Sequence, residues 1–292
     1  MIYHYTSADT FQNIMKGYRA SEDKEHLVLW ASSILSMNDP TEMQTGFDVI
    51  LKYLPQIEDE MNVEEEKRIS GIMTKYHVLG WTEQEKVQFF REKSFNPNLA
   101  PFIISFSKDK ESIPMWYMYG KGGHGINLHL DENELNSPQG LLIVDVNYHE
   151  DIVNSPYKKT FANVIKSQYD DYLRGINGKE SDLGFFSEKL ETLRIICLML
   201  SPFFKNRLYE YENESRAIFY FPSQIIKYRY SSNGFLIPYI EIPIPLKAFK
   251  AVGLGPCSDH TLLEQRIRLE LDASIPNNNI EIYHSDVPLR DM

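Results

Sequence analysis

Apolar positions along the chain follow two periods, and each change of period predicts a change of element. Ile2 to Tyr5 reads as a short first strand, after which Thr6 or Ser7 caps a helix with Phe11, Ile14 and Met15 on one face. Leu27 to Ala31 reads as a second strand. Asn38 and Asp39 predict a turn, and Pro40 starts a helix with Met43, Phe47, Ile50, Leu51 and Leu54 at helical spacing. Helical pattern then runs on from about 42 to 93. Ile69, Ile72, Met73 and Tyr76 make one stripe, and Thr82-x-x-Glu85 is a capping-box pattern before Val87, Phe89 and Phe90.

Phe102 to Ser107 reads as a buried strand and Ser112 to Tyr119 as a short helix, despite Pro114. Residues 125–130 alternate as a strand with one face buried, and Leu141 to Tyr148 is another strand. A second helical block covers 158–204. Phe161, Val164, Ile165, Tyr169 and Tyr172 form one of its stripes; Phe186, Leu190, Leu193, Cys197 and Leu200 form the other. Strands return at 216–221, 235–242 and 249–254. Asp259 then caps a helix carrying Leu262, Leu263 and Ile267, and 279–283 closes as a strand. The strands are too scattered, and the blocks between them too unequal, for a regular βαβ series. The pattern predicts an α+β fold in one domain over residues 1–292: a mixed or split β-sheet with helical insertions at about 42–93 and 158–204.

The 292 residues, 42% hydrophobic and 24% charged, suffice for a sizeable core without disulfides or metals. The formal net charge of -11 argues against generic nucleic-acid binding, which needs a basic face. No apolar stretch is long enough to span a bilayer, so no membrane partner is expected. The opening Met1-Ile2-Tyr3-His4 reads as a strand and not as a signal peptide. Cys197 sits in an apolar run and Cys257 follows a Gly-Pro turn. With no CxxC pair, neither a zinc site nor a redox motif is signalled, and a reducing cytoplasm is the simplest expectation.

Motifs of established chemistry are missing: there is no P-loop, G-x-S-x-G, H-E-x-x-H or dinucleotide fingerprint. Gly120-Lys121-Gly122-Gly123 reads as a flexible turn. Four weaker segments carry candidates. In Tyr3-His4-Tyr5, a strand histidine between aromatics suits a ligand hydroxyl and a flat ring, or is an ordinary half-buried histidine. Asn38 to Glu42 is explained by its turn alone. Ser105 and Ser107 share a strand face. Met115, Trp116 and Tyr119, on neighbouring turns of one helix, wall a pocket for a flat ligand or belong to the core. Glu212, Glu214 and Arg216 alternate at a strand start and share one side, as a site or as a surface ion pair.

These segments, in this order, resemble a large bacterial family known as domain of unknown function 2971. Its marks are Y-x-Y, N-D-P-x-E, a serine strand followed by W-x-x-Y, and E-x-E-x-R, with a late strand and turn like 252–256 here. The layout also resembles, more weakly, the ADP-ribosyltransferase superfamily, although that superfamily's E-x-E branch carries Arg in place of His4 and Thr in place of Phe106. That resemblance implies NAD as substrate, a split-sheet fold, and either transfer of ADP-ribose to an unknown acceptor or NAD hydrolysis, as in a bacterial toxin or phage-defence effector. It implies Glu214 as the catalytic carboxylate, with Glu212 orienting the acceptor or acting as base. NAD-binding residues would be His4, Tyr5, Ser105, Ser107, Trp116, Tyr119 and Arg216. The alternatives are a non-catalytic nucleotide- or partner-binding module and, more weakly, a carboxylate nuclease.

Overall fold

The computed structural model describes residues 1–37, 42–71, 82, 84–85, 100–135, 141, 143–149, 152, 155–176, 182–220, 224–230, 234–257 and 259–289. The expected turn at 38–41, Ile72, Met73 and Tyr76, the run of Val87, Phe89 and Phe90, Phe221, and the side chains of Glu42 and Phe186 lie outside the described residues.

Each early element begins where its capping chemistry allows. After β1 (Ile2–Thr6), the Ser7 side chain accepts from Thr10 N at 3.1 Å and starts α1 (Ala8–Ala20). There follow β2 (His26–Ser33) and α2 (Glu42–Glu60), the latter continuing through Pro55. Thr82 and Glu85 close the expected capping box: Thr82 N donates to Glu85 Oε2 at 2.6 Å, and Glu85 N to Thr82 Oγ1 at 3.3 Å. Then come β3 (Phe102–Ser107), α3 (Ile113–Met118), β4 (Ile126–Leu130), α4 (Glu132–Leu135), β5 (Ile143–Asp145), α5 (Lys158–Ile176) and α6 (Asp182–Leu200). The chain closes with β6 (Glu214–Phe219), β7 (Lys227–Tyr230), β8 (Leu236–Pro245), β9 (Phe249–Leu254), α7 (His260–Ser274) and β10 (Glu281–His284).

The fold is α+β, around a mostly antiparallel sheet of ten described strands. Its main path runs β10-β9-β4-β1-β3-β2-β8-β7, with β6 on β3 and β5 on β6; β9 and β10 are parallel. β3 is the junction. One edge pairs with β6 along its whole length. The other edge is shared: β1 meets it at Ser107 and β2 at Phe102 and Ile103. Between those contacts β1 and β2 diverge, and the sheet forks beside Ser105.

The two faces of the sheet differ in chemistry. Ile2, Phe102, Ile104, Phe106, Ile126, Leu128 and Leu130 point to one side and pack with α1 and α7 in an apolar core. The pairing registers put Tyr3, Tyr5, Asn127, His129, Ser105, Ser107, Glu214 and Arg216 on the other side. There Ile103 and Val144 join a second core built with α2, α5 and α6. β4 departs from the expected half-buried strand, since all five of its residues are buried. Its polar face is covered because Asn127 Nδ2 donates to Lys110 O at 3.1 Å and His129 stacks on Tyr283. β7 was not expected. Its Lys-Tyr-Arg-Tyr is an exposed edge with no apolar alternation to announce it.

Candidate functional site

The fork opens a cleft of about 810 Å³. Met115 of α3 and Tyr119 at its C-cap line it with Lys205, Glu212 and Glu214; Trp30, Ser32, Arg229 and Glu241 come from the β2-β8-β7 arm. Thr10, Asn13 and Gly17 of α1 also line it, a stripe beside the buried Phe11, Met15 and Tyr18. His4, Ser105, Tyr119 and Glu214 therefore share one cleft. Register alone sets His4 beside Phe106 on the apolar face and Glu214 on the polar face. The fork resolves the conflict, because a side chain from either face reaches the gap where β1 and β2 part. There His4 Nδ1 lies 3.0 Å from Ser105 O.

The acidic pair is built differently from the strand pair that alternation suggests. Glu212 ends a 3-10 helix (Arg207–Glu212), Asn213 is left-handed (φ 43°, ψ 55°), and Glu214 opens β6. The reversal at Asn213 converges both carboxylates on Lys205, whose Nζ donates to Glu212 Oε2 at 2.6 Å and to Glu214 Oε2 at 2.9 Å. Arg216 grips Glu214 with two bonds, Nε to Oε1 at 2.7 Å and Nη2 to Oε2 at 2.9 Å, and donates Nη1 to Pro202 O at 2.8 Å. The Tyr119 hydroxyl donates to Glu212 Oε1 at 2.9 Å. The four charged side chains are each at most 5% exposed and form a neutral set of two anions and two cations.

Burial raises the Glu214 pKa above the usual carboxylate value; Lys205 pulls it down and Glu212 pushes it up again. Burial also works against the charge on Lys205, but the Glu214 and Glu212 carboxylates outweigh it and hold Lys205 protonated. Burial and the Glu212 carboxylate raise the Tyr119 phenol, and burial lowers His4. Neutral His4 must carry its proton on Nδ1, because a carbonyl only accepts, and this leaves Nε2 as an acceptor. The buried Ser105 Oγ carries no hydrogen bond, although it stands near enough to Glu214 to favour the ionised form.

The other named residues sit around this set. Tyr5 lines the cleft, and its hydroxyl donates to the carbonyls of Asp109 and Lys110 at 2.8 and 2.7 Å. Ser107 is fully buried and donates to Glu212 O at 2.7 Å, which ties β3 to the helix end. Arg216 acts through Glu214 from behind the lining. Trp116 does not wall the cleft: its ring is wholly buried, donates to Glu111 at 3.2 Å and packs edge-on against Tyr5. Lys205, Trp30 and Arg229 were not singled out from sequence. The one sequence signal for Lys205 is a charge directly after the apolar Phe203-Phe204, ahead of Glu210, Glu212 and Glu214. Among the described residues, no group of three or more His, Cys, Asp or Glu is placed to hold a metal, and no helix is long and apolar enough to cross a membrane.

No curated protein and no solved structure matches the chain. Residues 115–217, from α3 to β6 and including Tyr119, Lys205, both glutamates and Arg216, match the family described as Protein of unknown function (DUF2971), and the resemblance to that family is borne out.

Proposed function

We propose that the chain binds NAD in the forked cleft and breaks its nicotinamide–ribose bond, passing ADP-ribose to an acceptor or to water. The convergence of His4, Ser105, Tyr119 and Glu214 on one cleft, from four separate segments, carries this reading. The weaker sequence resemblance to the ADP-ribosyltransferase superfamily is consistent with it. As the C1′–N bond breaks, its electron pair leaves with nicotinamide and positive charge grows on the ribose. Glu214 faces that charge, and Arg216 and Lys205 hold its oxygens in place, so little reorganisation is needed. His4 Nε2 accepts from a ribose hydroxyl, and Tyr119 flanks the nicotinamide. The acceptor attacks C1′ and gives up its proton toward Glu212.

The test is nicotinamide release from NAD with pure protein, with and without cell lysate as the acceptor source. Release only with lysate means transfer; release without it means hydrolysis. Glu214→Gln keeps the shape and removes the charge, so release should fall about a hundredfold. Wild-type rates in that variant would overturn the assignment. A toxin or phage-defence role within this reading predicts growth arrest on expression, relieved by the same substitution.

One observation favours a second reading, a non-catalytic nucleotide- or partner-binding module: all four carboxylate oxygens already have partners. NAD binding by calorimetry with no nicotinamide release under either condition would select it.

A further inference from the structure

The cleft wall away from the carboxylates carries a cation that has no anion among the described residues. Arg229 lies on the edge strand β7, lines the cleft and reaches across β8 to donate Nη2 to Ser32 Oγ at 3.2 Å. Its Nε is buried and has no hydrogen bond. Among the described residues no carboxylate pairs with it; Glu241 on the same arm is held by Lys227 at 2.7 Å. Burial pulls Arg229 below the ordinary arginine value, with Tyr239 opposing. The buried cations across the cleft differ: Lys205 has two carboxylates and Arg216 has one. A partly buried charge without a counter-ion is costly, and a guanidinium's planar fork fits the paired oxygens of an oxyanion.

We propose that Arg229, with the Ser32 hydroxyl beside it, binds a phosphoryl group of the cleft's ligand. The aromatic surface on the same sheet face favours phosphoryl over a simple carboxylate. Trp30 and Tyr239 pack with centroids 4.5 Å apart, and Trp30, 42% exposed, lines the cleft as a flat platform for a base. A volume of about 810 Å³ is enough for a nucleotide. The assignment deepens the NAD reading by placing its phosphates, but it requires no bond to break.

Calorimetric titration of the full chain with ADP, inorganic pyrophosphate, adenosine and succinate tests it. The wild type should bind ADP and pyrophosphate in preference to succinate. Arg229→Gln should weaken ADP at least about tenfold and leave adenosine within about twofold, and Arg229→Lys should recover part of the loss. Matching melting curves confirm that the variants fold. Four outcomes overturn the proposal: no ADP binding by the wild type, equal ADP affinity in Arg229→Gln, parallel losses for ADP and adenosine, or succinate binding as tight as pyrophosphate. If ADP binding depends on Arg229 but NAD is never cleaved, the catalytic reading falls and this one stands.

Discussion

Two polar clusters lie on the same face of the sheet and are stabilised in opposite ways. Around Lys205 the groups are charged, and they cancel in pairs. Around His129 the polar contacts are neutral. His129 Nε2 donates to Asn127 Oδ1 at 2.9 Å, Tyr3 packs edge-on at 4.9 Å, and Tyr283 stacks at 5.2 Å. Burial, helped by Lys110, lowers the His129 pKa to about 4, so the ring is uncharged at neutral pH. The first cluster depends on every partner staying in place. The second depends on no proton arriving. Removing one group should therefore damage the first, and acid should damage the second.

The largest expected effect is at Arg216. Arg216→Ala deletes the double grip on Glu214 within a buried set and leaves two carboxylates around one ammonium nitrogen. Breaking such a buried set by removing one partner costs about 3–5 kcal/mol. Urea unfolding of the wild type and the variant measures it. A loss below about 1 kcal/mol would mean that the set absorbs the change by taking up a proton, and the contrast between the clusters would fail.

The second effect is pH-dependent and belongs to His129. Its folded value of about 4 lies below the ordinary 6.5. Between those values the unfolded chain holds a proton that the folded chain does not, so stability rises with pH across that window. On acidification stability is lost from about pH 6.5 down to about 4, by ~3 kcal/mol in total for this group. Carboxylates begin to titrate at the lower end, so the measured quantity is the wild-type curve minus that of His129→Gln. A flat difference between pH 6.5 and 4 would sink the neutral-cluster account.

Much of the fold is legible along the chain because it is local. A buried-strand run marks β3, and Ser7, Thr82 and Asp259 announce the helices or turns they cap. The fork is not local: β1 meets β3 across about a hundred residues, at Ser107 alone, and no periodicity records where it stops. Sequence spacing brought out Glu212, Glu214 and Arg216, but not the left-handed Asn213 that aims the pair, nor Lys205 as their shared partner. Trp116 in the six-residue α3 and Tyr119 at its C-cap look equivalent in sequence. Only the phase of that helix, fixed by contacts with Tyr5, puts Tyr119 in the cleft and Trp116 in the core. Arg229 carries no signal in the sequence, because an exposed edge strand has no pattern of apolar positions.

The smallest expected effect comes from a residue with no side chain. β9 lies between β4 and β10, and Gly253 pairs with Asn127 on one side and Tyr283 on the other. The missing side chain is what lets His129 stack on Tyr283 across an intervening strand. A Cβ at Gly253 would lie 2.1 Å from Asn127 Oδ1 and 3.0 Å from His129 Nε2. Asn127 is short and bonded at both ends of its amide, to His129 and to Lys110 O, so it cannot swing away without losing a bond. Gly253→Ala should therefore cost about 1–3 kcal/mol at neutral pH, the range for forcing atoms into a packed site. It should also loosen the packing around His129, raise the ring's pKa toward 6.5 and shrink the acid-sensitive window. Chemical-shift titration of the His129 ring reads this directly. If the variant is destabilised but His129 still titrates near 4, Gly253 serves only to make room, and the neutrality of His129 rests on burial by other neighbours.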